Sequence, residues 1–171
     1  MKKFLLLAAA PLLLISCTDK EDGMSEQAEK NLASMNGVIR SIESRDLSKL
    51  DQYMAADVID HAPATGPVAG LDNVRKGLEE QIKFSEDMKT EVIKELADDE
   101  YVMSWLKFRG TVAMEQMGMK KGDSLNMNSM EVAKFNKDGK VIEHWTFVDP
   151  AEMAAMMNKM MAQPAADTTK Q

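Results

Sequence analysis

The order of periodicities along the chain predicts an α+β fold, with helices packed on one face of a curved, mostly antiparallel sheet. Apolar residues recur at helical spacing in the first part of the chain, and from Met88 the period changes to two. Between two of the alternating runs, Asn136-Lys137-Asp138-Gly139 reads as a hairpin turn, Asp-Gly supplying the positive φ angles. Element by element, Ala28, Leu32, Met35, Val38/Ile39 and Ile42 give a helix that Ser25 can cap. A short helix follows in DLSKLDQYMA, with Asp46 as cap and Leu47, Leu50 and Tyr53/Met54 as its buried stripe. DVIDHAPATGPVAG is rich in breakers and reads as a short extended piece and a loop. Asp72 opens a third helix, in which Val74, Leu78, Ile82 and Phe84 face inward. Four strands come next as a meander. The first alternates Met88, Thr90, Val92, Lys94 and Leu96, and the others are EYVMSWLKFRGTVAME, SLNMNSMEVAKF and KVIEHWTFV. Pro150 to Met161 closes the chain as a helix.

The ends lie outside this fold. Residues 1–17 combine Lys2 and Lys3, an apolar run from Phe4 to Ile15, and small Ser16 before Cys17, which is the layout of a secretory signal too short to span a bilayer. Leu14-Ile15-Ser16-Cys17 resembles a bacterial lipobox, which implies cleavage before Cys17 and lipidation of that residue; a plain signal peptide is the alternative. Residues 18–25 read as a polar tether, 26–161 as one domain and 162–171 as a disordered tail. The expected location is therefore the cell envelope, as a membrane-anchored lipoprotein of the outer membrane or facing the periplasm.

Cys17 is the single cysteine, so no intramolecular disulfide can form and the core alone must hold the domain together. Loss of Lys2 and Lys3 leaves 19 basic residues against 28 acidic ones. That balance excludes nucleic acid and an anionic lipid surface as partners, and confines membrane contact to an acyl anchor.

Four segments, RDLSKLDQYMAADVIDHAP, GPVAGLDNVRKGL, FRGTVAMEQMG and NKDGKVIEHWTFVDPAEMAAMM, fall in the order and spacing of the SnoaL-like, polyketide cyclase-like domain. By this resemblance, which runs from about Asn31 to Met161, the chain is similar to the nuclear transport factor 2-like superfamily. The resemblance implies a cone with a pocket between sheet and helices, lined here by Tyr53, Phe108, Val112, Met130 and Thr146. It also implies pairing of two copies through the exposed sheet face. The family's cyclases close a ring by an aldol step with an acid/base pair. Their strand histidine after the glycine-threonine step is Val112 here, and the aspartate of the final His-Trp-Asp is Thr146. Neither can exchange a proton near neutral pH. The expected role is thus binding of a small, mainly apolar ligand without a cofactor. A cyclase- or isomerase-type enzyme using His61 and His144 is the alternative.

His61 and His144 are the only histidines, and no HxxxH or HxH spacing supports a metal site. The resemblance places His61 near the pocket mouth, while a local hydrogen bond to the backbone near Pro63 explains it equally well. Alternation sets Ile142, His144, Thr146 and Val148 against Val141, Glu143, Trp145 and Phe147, without saying which face lines the pocket. A pocket-facing His144 is expected to hydrogen-bond a neighbouring Asn, Ser or Tyr. Asp149-Pro150-Ala151-Glu152 reads as a capping box rather than as an acid site. Fifteen methionines besides Met1 raise one further possibility, Cu(I) binding by thioethers, against the simpler reading that they replace leucine on apolar stripes.

Overall fold

The computed structural model describes residues 23–63, 65–116 and 118–162. The signal segment with Cys17, most of the tether and the tail from residue 163 lie outside the described residues. Helix α1 spans Glu26–Glu43, α2 Leu50–Tyr53, α3 Leu71–Phe84 and α4 Pro150–Ala162. The strands are β1 (Met54–Asp60), β2 (Val68–Ala69), β3 (Lys89–Ala97), β4 (Tyr101–Thr111), β5 (Ser124–Phe135) and β6 (Val141–Val148). They form one six-stranded sheet in the order β2-β1-β6-β5-β4-β3. Every pairing is antiparallel except β1 with β6. None of the described helices is long and apolar enough to cross a membrane.

Ser25 caps α1 as expected, its hydroxyl accepting the Ala28 N–H at 3.0 Å. The apolar stripe of α1 and the inner side of α3 cover the concave face of the sheet. Between them lies a core that includes Met35, Leu50, Val58, Val74, Val102 and Phe135. A second, smaller cluster of Val112, Met119 and Leu125, with Phe84 and Met88 against it, closes the far end of β4.

Three sequence expectations need correction. The second helix is a single turn, because the chain from Met54 is drawn into the sheet as β1 and cannot also continue a helix. The sheet therefore has six strands rather than four. Strict alternation in β3 fails at a bulge between Val92 and Lys94. Before it Thr90 and Val92 stand opposite Phe108 and Leu106; after it Glu95 and Ala97 stand opposite Ser104 and Val102, so the parity has switched.

Candidate functional site

Beneath α1 and α3 the inner sheet face encloses a cavity of about 450 Å3, within the usual range for small-molecule sites. Its walls are mainly apolar, with Met35, Val38 and Leu78 from the helices and Leu106, Phe108 and Met127 from the sheet. One patch of wall is charged. His144 on β6 stands between two carboxylates, with Nδ1 2.9 Å from Asp60 Oδ1 and Nε2 3.0 Å from Glu131 Oε2.

Register places these groups. Asp60 is the Cα partner of His144 across the parallel β1–β6 ladder, and the His61 N–H donates to the His144 carbonyl at 2.8 Å. On the other side of β6, Glu131 is the partner of Thr146 and Ala133 that of His144. The His144 ring thus bridges β1 and β5 from the strand between them. Its neighbours complete a network. Thr146 Oγ1 donates to Glu131 Oε2 at 2.6 Å, and Ser129 Oγ donates to Glu131 Oε1. The Ala62 N–H donates to Asp60 Oδ1 at 3.0 Å. Glu131 therefore has both oxygens occupied. Asp60 Oδ2 accepts no hydrogen bond among the described residues.

Two opposing effects set the protonation of the cluster. Burial disfavours a charged His144, but hydrogen bonds to Asp60 and Glu131 and their negative charges outweigh it, and the pKa is raised to about 9. For Asp60, burial pushes the carboxyl up, yet the hydrogen bond and charge of His144 and the Ala62 N–H win and hold it below its usual value. At neutral pH the ring is an imidazolium whose two N–H groups are both committed to carboxylates. It orients Asp60 and Glu131 and offers no free donor of its own.

The sequence-derived candidates divide cleanly. His144, Thr146 and Phe108 line the cavity. His61 does not meet His144 there, which corrects the expectation that the two imidazoles share a pocket. Strand alternation sends the His61 ring to the outer face, where it stacks on Trp145 (centroids 4.8 Å apart, planes 4° apart) and pairs with Glu143 at 3.1 Å. Tyr53 packs over Gly37 in the core, Val112 is enclosed in the second cluster, and Met130 lies on the outer face, so none of the three is on the cavity wall. The partners of His144 are carboxylates, not the Asn, Ser or Tyr expected. Asp149 does cap α4, accepting the Ala151 N–H at 2.7 Å, but Glu152 does not close the box. It crosses to β5 instead, accepting from the Asn128 backbone N–H at 2.8 Å and side-chain amide at 2.6 Å.

Sequence reasoning passed over Asp60 and Glu131. Glu131 carried a legible signal: Leu125, Met127, Ser129, Ala133 and Phe135 share its parity, so it is the one charge on the inward face of β5. Asp60 gave none, since its position depends on a parallel pairing between distant segments. The methionines disperse over the core and cavity wall (Met35, Met54, Met127), the outer face (Met103, Met130) and α4 (Met153, Met157, Met161). No group of three or more His, Cys, Asp or Glu suited to a metal ion occurs among the described residues.

Comparison with known proteins agrees with this architecture. The profile of the family described as SnoaL-like polyketide cyclase matches residues 34–157. Among solved structures, IdmH of Streptomyces antibioticus superposes with a TM-score of 0.64 at 24% identity, covering 75% of this chain and 98% of that one. AclR of Streptomyces galilaeus gives 0.64 at 22% identity, covering 77% and 98%. A protein of Jannaschia sp. CCS1 assigned as a SnoaL-like polyketide cyclase gives 0.70 at 15% identity, covering 84% and 100%. No curated protein is matched at the sequence level.

Proposed function

The chain belongs to the SnoaL-like polyketide cyclase family of the nuclear transport factor 2-like superfamily, and from that premise we propose that it is an exported, lipid-anchored domain that binds a small, mainly apolar molecule in its cone. The observation that carries this reading is the cavity itself. About 450 Å3 of mainly apolar space is kept open beside the hydrogen-bonded Asp60–His144–Glu131 cluster. A domain with no use for the space would gain by filling it, since unfilled core volume and buried charge both cost stability.

Mass spectrometry of small molecules that co-purify with the chain tests the proposal. The control is Gly77→Trp. Gly77 lines the cavity, and a Cβ built there meets no atom within 4 Å, so a large side chain can be added to that wall without a clash at its root. The expected result is a bound species in the wild type that the variant loses while remaining folded. An empty wild-type cavity, or a species retained by Gly77→Trp, counts against it. The anchor has its own test: labelled fatty acid should be incorporated by the wild type and not by Cys17→Ala.

A second reading, proton transfer on the bound molecule, has one specific observation in its favour. Asp60 lines the cavity, is held by His144 through Oδ1, and has an Oδ2 that accepts no hydrogen bond among the described residues. In that case Asp60 is the base, and His144 and Glu131 position it. Thr146, standing where the family's aspartate is expected, donates to Glu131 and so leaves the carboxylate on the adjacent strand. Asp60→Asn would then abolish exchange of acidic C–H protons with deuterated solvent in the bound molecule, and Thr146→Val would only slow it.

A further inference from the structure

The charge and donor inventory of the cavity says which end group its occupant should carry, and this step rests on the binding role proposed above. No lysine or arginine lines the cavity among the described residues. Its ionisable lining groups are Asp60, Glu131 and His144. Both nitrogens of His144 are bound to carboxylates, and the Thr146 hydroxyl is given to Glu131. Glu131 in turn receives Ser129 at Oε1 and both Thr146 and His144 at Oε2, so each of its oxygens is already engaged. Among the described residues, Asp60 Oδ2 is the carboxylate oxygen of the patch that accepts no hydrogen bond, and so the one most available to a visitor.

We propose that the cavity selects an apolar molecule ending in a hydrogen-bond donor, foremost a protonated amine, and rejects carboxylates and other anions of the same skeleton. The ammonium meets Asp60 Oδ2, and the apolar body lies against Met35, Leu78 and Phe108. Two carboxylates around one imidazolium give the patch a net charge of about −1, given the raised pKa of His144. A cation completes that balance in a poorly solvated site, where an unpaired ion is costly. An anion would meet like charge and find no free donor on the patch, and the donors elsewhere on the wall, the Gln81 amide and the Thr90 hydroxyl, are neutral. An alcohol, which can donate without carrying charge, falls between the two.

The test uses the purified full chain and three probes on one skeleton: cyclohexylmethylamine, cyclohexylmethanol and cyclohexanecarboxylate. Binding is read at pH 7 from the 13C-methyl resonances of Met35, Met54 and Met127, which stand on the cavity wall. The amine should bind at least tenfold more tightly than the alcohol, and the carboxylate most weakly. Asp60→Asn should erase the amine's advantage while leaving alcohol binding in place, and Asp60→Glu should retain the order. A carboxylate that binds as well as the amine overturns the proposal, and so does an Asp60→Asn chain that still prefers the amine. Should Asp60→Asn fail to fold, the wild-type order decides by itself. Methyl shifts with all three probes but in the wrong order sink only the selectivity. Shifts with none sink the cavity-binding role on which the selectivity rests.

Discussion

His144 is the residue on which the site turns, and its ionisation makes a prediction about the whole fold. Its folded pKa of about 9 lies above the ordinary value of 6.5. A raised pKa means that the proton is bound more tightly in the folded chain than in the unfolded one. The resulting stabilisation is complete below about pH 6.5 and is lost as pH rises through about 9. Each pKa unit corresponds to about 1.4 kcal/mol, so the ceiling of the effect is on the order of 3 kcal/mol. Urea denaturation between pH 6 and pH 9.5 should show the wild type losing stability across that window. His144→Gln should be less stable at pH 6 and nearly flat thereafter. A wild-type profile that is equally flat would mean that the imidazolium is not held by its two carboxylates. Asp60 contributes with the opposite sign: its lowered pKa gives stability above the carboxylate range that is lost on acidification. Of this cluster only His144 and Thr146 were singled out from the sequence, because they stand in a recognisable strand. Glu131 was visible as a charge of the wrong parity, and Asp60 became visible only once β1 was seen to lie beside β6.

At the scale of elements, local signals were legible and long-range pairings were not. The cap of α1, the Asp138-Gly139 turn and the alternation of β4 and β5 can each be read within a few residues. The parallel β1–β6 ladder joins segments more than eighty residues apart, and no turn chemistry announces it. Bulges defeat parity for a similar reason. One skips Ile142 where Lys134 pairs with Glu143 and Phe135 with Val141, and this returns Val141 to the cavity although it belongs to the outward set of β6. The single-turn α2 explains why Tyr53 is not a pocket residue: the turn lays its ring across Gly37 of α1. A Cβ at Gly37 would come within 2.5–2.7 Å of three ring carbons, whereas one at Gly77 on α3 meets nothing within 4 Å. Helix propensity favours alanine over glycine by about 1 kcal/mol at either site. At Gly37 overpacking against the half-buried Tyr53 ring, typically about 1–3 kcal/mol, opposes that gain and should exceed it. Gly37→Ala is therefore expected to lower the urea midpoint and Gly77→Ala to raise it. Equal effects at the two sites would remove the Tyr53–Gly37 contact as a determinant of the α1–α2 packing.

For the molecule as a whole, the outward face of the sheet is the feature that a single copy leaves unexplained. Cross-strand register lines up Leu96, Met103, Val132 and Trp145 in one row, and Trp105, Met130 and Phe147 in the next. Leu96 is 61% exposed, Phe147 58% and Trp105 47%, so the rows form a continuous apolar band across β3 to β6. Bands of this kind on soluble chains mark contact surfaces, because wetting several large side chains together is costly. We propose that a second copy covers this band, by a two-fold contact in which each residue meets the same surface of its partner. Charge is the sensitive probe of such an arrangement. Phe147→Glu removes a large apolar contact from both copies and places two carboxylates in one desolvated interface. The change also leaves the cavity untouched, since Phe147 and His144 lie on opposite faces of β6. Losing a buried Phe costs about 1.5–3 kcal/mol per side chain, so the dimer should weaken by at least tenfold. Sedimentation velocity over a concentration series measures this, with probe binding at the Met127 methyl as a check that each copy remains folded. A wild type that sediments as a monomer at high micromolar concentration would show that the band serves some other contact. A variant that dimerises undiminished would place the interface elsewhere.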